Sequence, residues 1–130
     1  MPKKPSTQPT DAELEILRLL WDRGPSTVRE VYTELERRRG QLAYTTVLAQ
    51  LQLLHEKGFV MRDETGRSHI YRPAKPRQQV ERGVVKSLIA RTFGGMARNL
   101  VMHALSIKRA SPEELARIDK LFDELEGPHK

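Results

Sequence analysis

The sequence predicts a mainly α chain with one small β-hairpin, arranged as a short tail, a compact helical module ending in the hairpin, and a helical appendage. Three observations predict this. Capping boxes, which mark helix entrances, stand at Thr10-Asp11-Ala12-Glu13, Thr27-Val28-Arg29-Glu30 and Ser111-Pro112-Glu113-Glu114. Apolar residues downstream of each box recur at helical spacing. Only between Phe59 and Arg72 does the pattern become β-rich, around Glu64-Thr65-Gly66-Arg67.

Residues 1–9 are polar and Pro-rich and are read as a flexible tail. A first helix starts at the Thr10 box, carries Leu14, Ile16, Leu17, Leu20 and Trp21, with Trp21 read as core, and stops at Gly24-Pro25. A second starts at the Thr27 box, buries Val28, Val31, Tyr32 and Leu35, and ends at Arg37-Arg38-Arg39-Gly40, where cations suit the helix dipole. A third runs from Tyr44 to Lys57. Tyr44, Val47, Leu48, Leu51 and Leu54 share one arc of it, and Gly58 supplies the stop. Strands over Phe59–Asp63 and Ser68–Arg72 form the hairpin, with Gly66 expected at a positive φ.

Three helices and a hairpin, in that order, are those of a winged helix-turn-helix, assigned to residues 10–75. Pro73 and Pro76 bracket a stiff linker. Residues 76–130 are read as a three-helix dimerisation region. Val80 to Phe93 mark a fourth helix, broken at Gly94-Gly95; Met96 to Leu105 mark a fifth; Leu115, Ile118, Phe122 and Leu125 mark a sixth. About fifty residues this apolar are too few to bury their own faces, so a second copy of the tail is expected to cover them. Leu88, Ile89, Leu115, Ile118, Phe122 and Leu125 are the expected interface, an intramolecular core being the even alternative for each.

The 130 residues leave room for one small module and an appendage, not for two enzyme domains. A net charge of +6 favours a polyanionic partner, most commonly nucleic acid. The chain has no cysteine, which excludes disulfides, zinc-thiolate sites and thiol redox sensing. No stretch reaches the roughly 18 apolar residues that span a bilayer, so no membrane partner and a cytoplasmic location are expected.

The most telling segment is the third helix. Its face away from the core carries Thr45, Thr46, Ala49, Gln50, Leu53 and Lys57, small and largely uncharged where a solvated face usually bears Glu and Lys. Base edges in a major groove require short polar or methyl-bearing side chains. Thr45, Thr46, Ala49 and Gln50 are therefore expected to read bases, against the alternative that the threonines merely cap the helix. Lys57, Arg62 and Arg67 are expected at phosphates; Arg37, Arg38 and Arg39 fit a solvated helix end at least as well. His55, His69, His103 and His129 have no ligand spacing, and no Ser, His and acid arrangement or phosphate-binding glycine loop stands out. No metal, no cofactor, no catalytic residue and no enzyme activity are expected.

These motifs also carry a family resemblance. Asp11-Ala12-Glu13 leading to Leu20-Trp21, Tyr44-Thr45-Thr46-Val47 leading through Leu51 and Leu54 to Lys57-Gly58, and Gly66-Arg67 leading to Tyr71 and Pro73 resemble, in order, the penicillinase and methicillin-resistance repressors (BlaI/MecI, with the copper-responsive CopY branch). The resemblance is close over residues 10–75 and looser through the tail. It implies a homodimeric repressor at palindromic operators of double-stranded DNA, commonly of β-lactam resistance or envelope-stress genes, and places Thr45, Thr46 and Ala49 at the major groove and Arg67 in the wing. It also implies an inactivating protease or sensor protein as a partner. Two positions depart from the pattern: Leu53 stands where many relatives have arginine, and His103-Ala104 aligns with the Asn-Phe bond that the partner protease cuts. The lack of cysteine argues against copper sensing. Release by proteolysis, by ligand or by dimer dissociation stays open. The alternatives to a specific repressor are a winged helix that docks on protein through Leu53 and a nonspecific DNA-binding protein.

Overall fold

The computed structural model describes residues 8–126, except for the side chains of residues 122, 125 and 126. The described residues divide into two compact units, the first ending at Lys86 and the second starting at Ser87, with α4 contributing residues to both.

In the first unit, α1 (Asp11–Arg23) starts on the Thr10 box. The Glu13 N–H donates to Thr10 Oγ1 at 3.2 Å and the Thr10 N–H to Glu13 Oε1 at 2.9 Å. The Thr27 box opens α2 (Val28–Arg39) in the same way. There Glu30 lies below the ordinary carboxylate range, chiefly because it accepts the Thr27 N–H and then because of Arg23. The third helix, α3 (Tyr44–Glu56), ends in paired bonds from the Gly58 N–H to His55 O and the Phe59 N–H to Leu54 O. Gly58 takes the φ of +84° that this left-handed cap requires.

A three-stranded antiparallel sheet closes the unit in the order β1 (Ser26–Thr27), β3 (Ile70–Pro73), β2 (Val60–Asp63). The hairpin matches expectation, with Arg62 opposite Tyr71 and Asp63 opposite Ile70. The third strand, β1, was not foreseen: two residues have no periodicity to read, and Ser26 pairs with Tyr71 only across the fold. The expected positive φ at Gly66 is absent. The Asp63 carboxylate shapes the turn instead, accepting from the Thr65 N–H at 2.9 Å and its hydroxyl at 2.7 Å.

The core gathers Ile16, Leu17, Leu19 and Leu20 of α1, Val28, Val31 and Leu35 of α2, Val47, Leu51 and Leu54 of α3, and Phe59, Val60 and Tyr71 around the sheet. Val80, one turn into α4 (Arg77–Thr92), joins it at 3% exposure. Compactness therefore extends beyond the Pro73 to Pro76 segment. Trp21 is half-buried rather than enclosed, and its indole N–H donates to the Lys75 carbonyl at 3.2 Å. Tyr44, placed by its spacing on the buried arc, is 37% exposed, because it starts α3 at the rim and meets Tyr32 edge-on. Tyr32 is itself only half-buried.

A buried ion pair lies inside this unit. Glu13 is 1% exposed, and its Oε1 accepts Lys57 Nζ at 2.7 Å. Lys57 also donates to the Gln8 carbonyl at 3.2 Å. A buried carboxylate is tolerated only when fully partnered; here it is shared between the α1 cap and a cation at the end of α3.

The second unit holds the rest of α4, α5 (Ala97–Ile107) and α6 (Pro112–Glu126). Gly94 and Gly95, both at positive φ, end α4, and Ser111 and Glu114 form the expected box at α6. Among the described residues, none after Val80 is buried.

Lys57→Met removes the cation while keeping most of the stem's bulk, leaving the buried Glu13 carboxylate without its counter-ion. The expected loss is about 3 kcal/mol or more in urea unfolding, and an unchanged midpoint would show that the pair carries no such role.

Candidate nucleic-acid interface

The base-reading candidates lie on the outside of α3. Thr45, Thr46 and Ala49 are exposed and Gln50 is half-buried, while Val47, Leu51 and Leu54 on the opposite side are fully buried. Ala43 is the N-cap and makes no side-chain capping bond, so the helix starts without a threonine cap, and Thr45 and Thr46 are the second and third residues within it. Gln52 is exposed, and Leu53 is 46% exposed. From Tyr44 to Leu54 this helix carries no charge.

The expected phosphate contacts separate. Arg67 is exposed near the hairpin tip, and among the described residues it makes no ion pair. Arg62 is only 25% exposed at its side chain and is paired with Glu64 at 2.7 Å. The neighbouring Tyr71 hydroxyl is the strongest influence raising its pKa, with Glu64 adding to the effect. Its guanidinium thus lies against the sheet rather than beyond it. Lys57 requires the larger correction: at 13% side-chain exposure and bound to Glu13, it is a structural cation. The pattern missed this because Glu13 is 44 residues away.

The arginines at the end of α2 are similarly engaged. Arg37 and Arg38 both pair with Glu34, whose carboxyl they lower to about 2, Arg37 most strongly. Arg39 reaches Glu15 at 3.0 Å. Two further cations went unnoticed in the sequence. Arg72 on β3 is exposed beside Met61, and Arg29 on α2 lies 4.9 Å over the Tyr44 ring. Arg29 sits inside a capping box, where it reads as part of a helix entrance, and its neighbour across α3 is visible only once folded.

Residues 9–124 match the penicillinase repressor family model. The chain belongs to the penicillinase repressor family. It is 32% identical over 120 residues to the transcriptional regulator BlaI of Mycobacterium tuberculosis, covering 92% of this chain and 86% of that one. Identity with the penicillinase repressor of Bacillus licheniformis is 25% over 117 residues, covering 90% and 91%. The solution structure of the DNA-binding domain of the repressor BlaI is similar at 30% identity, with a TM-score of 0.49, covering 59% of this chain and 90% of that one. The family is one of transcriptional repressors and not of enzymes.

In this penicillinase repressor family member the expected interface residues of the tail are distributed as follows. Leu88, Ile89 and Ile118 are half-buried, and Leu115 is 44% exposed. The side chains of Phe122 and Leu125 lie outside the described residues. Sequence spacing did not single out Met102, Ile107 or Leu121, which are exposed at 68%, 86% and 52%. A groove of about 510 Å³ between α5 and α6 is lined by Val101, Met102, Leu115 and Ile118, with Arg98 and Asp119 on it. His103 and Ala104 are exposed on α5, and the His103 ring packs 5.5 Å from Phe93. No helix among the described residues is long and apolar enough to cross a membrane.

Arg67→Ala is expected to weaken binding to a chosen and to a random duplex equally and to reduce the slope of log affinity against log salt by about one. Titrations at four salt concentrations measure it; a loss confined to one sequence would make Arg67 a base reader instead.

Proposed function

We propose that the chain is a sequence-specific repressor that binds palindromic operator DNA as a homodimer in the cytoplasm, with α3 as the recognition helix. The observation that carries this reading is the outward, uncharged face of Thr45, Thr46 and Ala49 on a helix whose other side buries Val47, Leu51 and Leu54. A helix enters a major groove readily when the side facing it carries no large apolar bulk and no anionic side chain to repel phosphate. Threonine offers a hydroxyl and a methyl there, and Gln50 offers the paired donor and acceptor that match adenine. Arg67 at the hairpin tip supplies a phosphate contact, while Lys57 and Arg62 hold the module together.

Residues 10–75 are assigned to operator binding and 76–130 to dimerisation, with the opening turns of α4 completing the first core through Val80. The tail supports the second assignment. A helical unit with no buried residue among those described has not satisfied its apolar faces, and a twofold partner covers both copies with the same surface. The operators proposed are those of β-lactam resistance or envelope-stress genes, in keeping with the family. A second reading, docking on protein through α3, is favoured by the exposure of Leu53; it differs in having little salt dependence, whereas binding to DNA weakens steeply as counterions are released.

An operator selected from a random pool by the full chain provides the test. Thr46→Ala is expected to cost about 1 to 3 kcal/mol at that operator and nothing on random duplex, and a variant with unchanged preference would remove α3 from the reading. For the tail, Leu115→Asp is expected to shift sedimentation toward monomer with the first unit's unfolding unchanged, since Leu115 is already 44% exposed in one chain. A dimer that persists would place the interface elsewhere.

A further inference from the structure

A chain of ring and charge contacts joins α2 to the start of α3. The Tyr32 hydroxyl donates to Glu36, the Tyr32 and Tyr44 rings meet edge-to-face at 5.5 Å and 71°, and the Arg29 guanidinium lies 4.9 Å over the Tyr44 ring. Arg29 is exposed and, among the described residues, has no carboxylate partner. Its neighbours on α2 behave differently: Arg37 and Arg38 pair with Glu34, and Glu30, beside Arg29 in sequence, pairs with Arg23. Tyr44 is the first residue of α3, so the guanidinium stands at the entrance of the helix that carries the base-reading candidates.

We propose that Arg29 is a further contact to the DNA backbone and that Tyr44 is its positioning residue. The inference rests on α3 being the recognition helix. A guanidinium is a planar fork suited to two phosphate oxygens, and its planarity also lets it stack on an aromatic face. On the Tyr44 ring it is held near the entrance of α3 before any duplex arrives. Ordering a long side chain costs affinity at the moment of binding, and a guanidinium already docked has met part of that cost. The ring is fixed in turn by Tyr32, whose hydroxyl is tied to Glu36. Tyr44 thus has a role that its half-exposed position at the rim of the core does not require.

The full chain, a selected operator and a random duplex of equal length test this across a salt series. Arg29→Ala is expected to weaken both duplexes about tenfold, as loss of a charged hydrogen bond does, and to lower the salt slope by about 0.9. Tyr44→Leu is expected to weaken both by two- to fivefold, the range of an exposed cation–π contact, while Tyr44→Phe, which keeps the ring face, binds like the parent. In the Arg29→Ala background, Tyr44→Leu should add no further loss. Thermal unfolding of each variant separates these effects from folding. The assignment of Arg29 fails if Arg29→Ala leaves the salt slope unchanged, and that of Tyr44 fails if Tyr44→Phe loses as much as Tyr44→Leu or if the two losses add. If Thr46→Ala abolishes preference while Arg29→Ala has no effect, only this inference is overturned; a parent chain that binds neither duplex overturns it together with the recognition-helix reading.

Discussion

The contact between Glu13 and Lys57 constrains where the outer face of α3 points. Glu13 is almost wholly enclosed and accepts both the Thr10 N–H that closes the α1 cap and the Lys57 ammonium that follows the last turn of α3. Burying two charges gains little net stability over an apolar pair of similar volume, but leaving either one alone is costly. Such a contact is therefore better understood as specifying geometry. It fixes the end of α3 to the beginning of α1, while Val47, Leu51 and Leu54 fix the length between. With both the end and the inner side held, the outer side is left to Thr45, Thr46 and Ala49. A cation at that place also suits the carbonyl end of the α3 dipole.

The same economy governs the other charges. A chain with a net charge of +6 could spread its cations evenly, yet the end of α2 is neutralised by Glu34 and Glu15, and Arg62 is turned toward Glu64 and Tyr71. Exposed pairs of this kind contribute little to stability. Their effect is on the pattern of charge: among the described residues Arg67 and Arg29 are two of the cations that have no carboxylate partner.

Much of this fold was legible in the sequence because its signals are local. The boxes at Thr10, Thr27 and Ser111, the Gly58 stop and the Gly94-Gly95 break are each decided within a few residues, and all stand as expected. The outer and inner faces of α3 were legible for a similar reason, since helical spacing separates them. What was misread depends on distant partners. Lys57 looks like a surface cation unless Glu13 is known to be beside it, Tyr44 looks like core unless Tyr32 is seen at the rim, and β1 exists only because Tyr71 lies alongside Ser26. Arg29 was overlooked because its local role, next to Glu30 in a capping box, sufficed to explain it. The burial of Leu19 at 1% exposure follows from α1 being covered on more than one side, which its periodicity alone does not report.

Because Asp63, not Gly66, sets the hairpin turn, the backbone at Gly66 makes no conformational demand that only glycine meets, and a Cβ added there would find its nearest neighbour, the Ser68 carbonyl oxygen, at 3.9 Å. Position 66 can accept a side chain of almost any kind without disturbing the sheet. On the proposed reading the adjoining Arg67 meets phosphate, so a lineage could raise or lower that grip by single substitutions at this site, leaving α3 and the core untouched. Affinity and selectivity would then drift as independent traits.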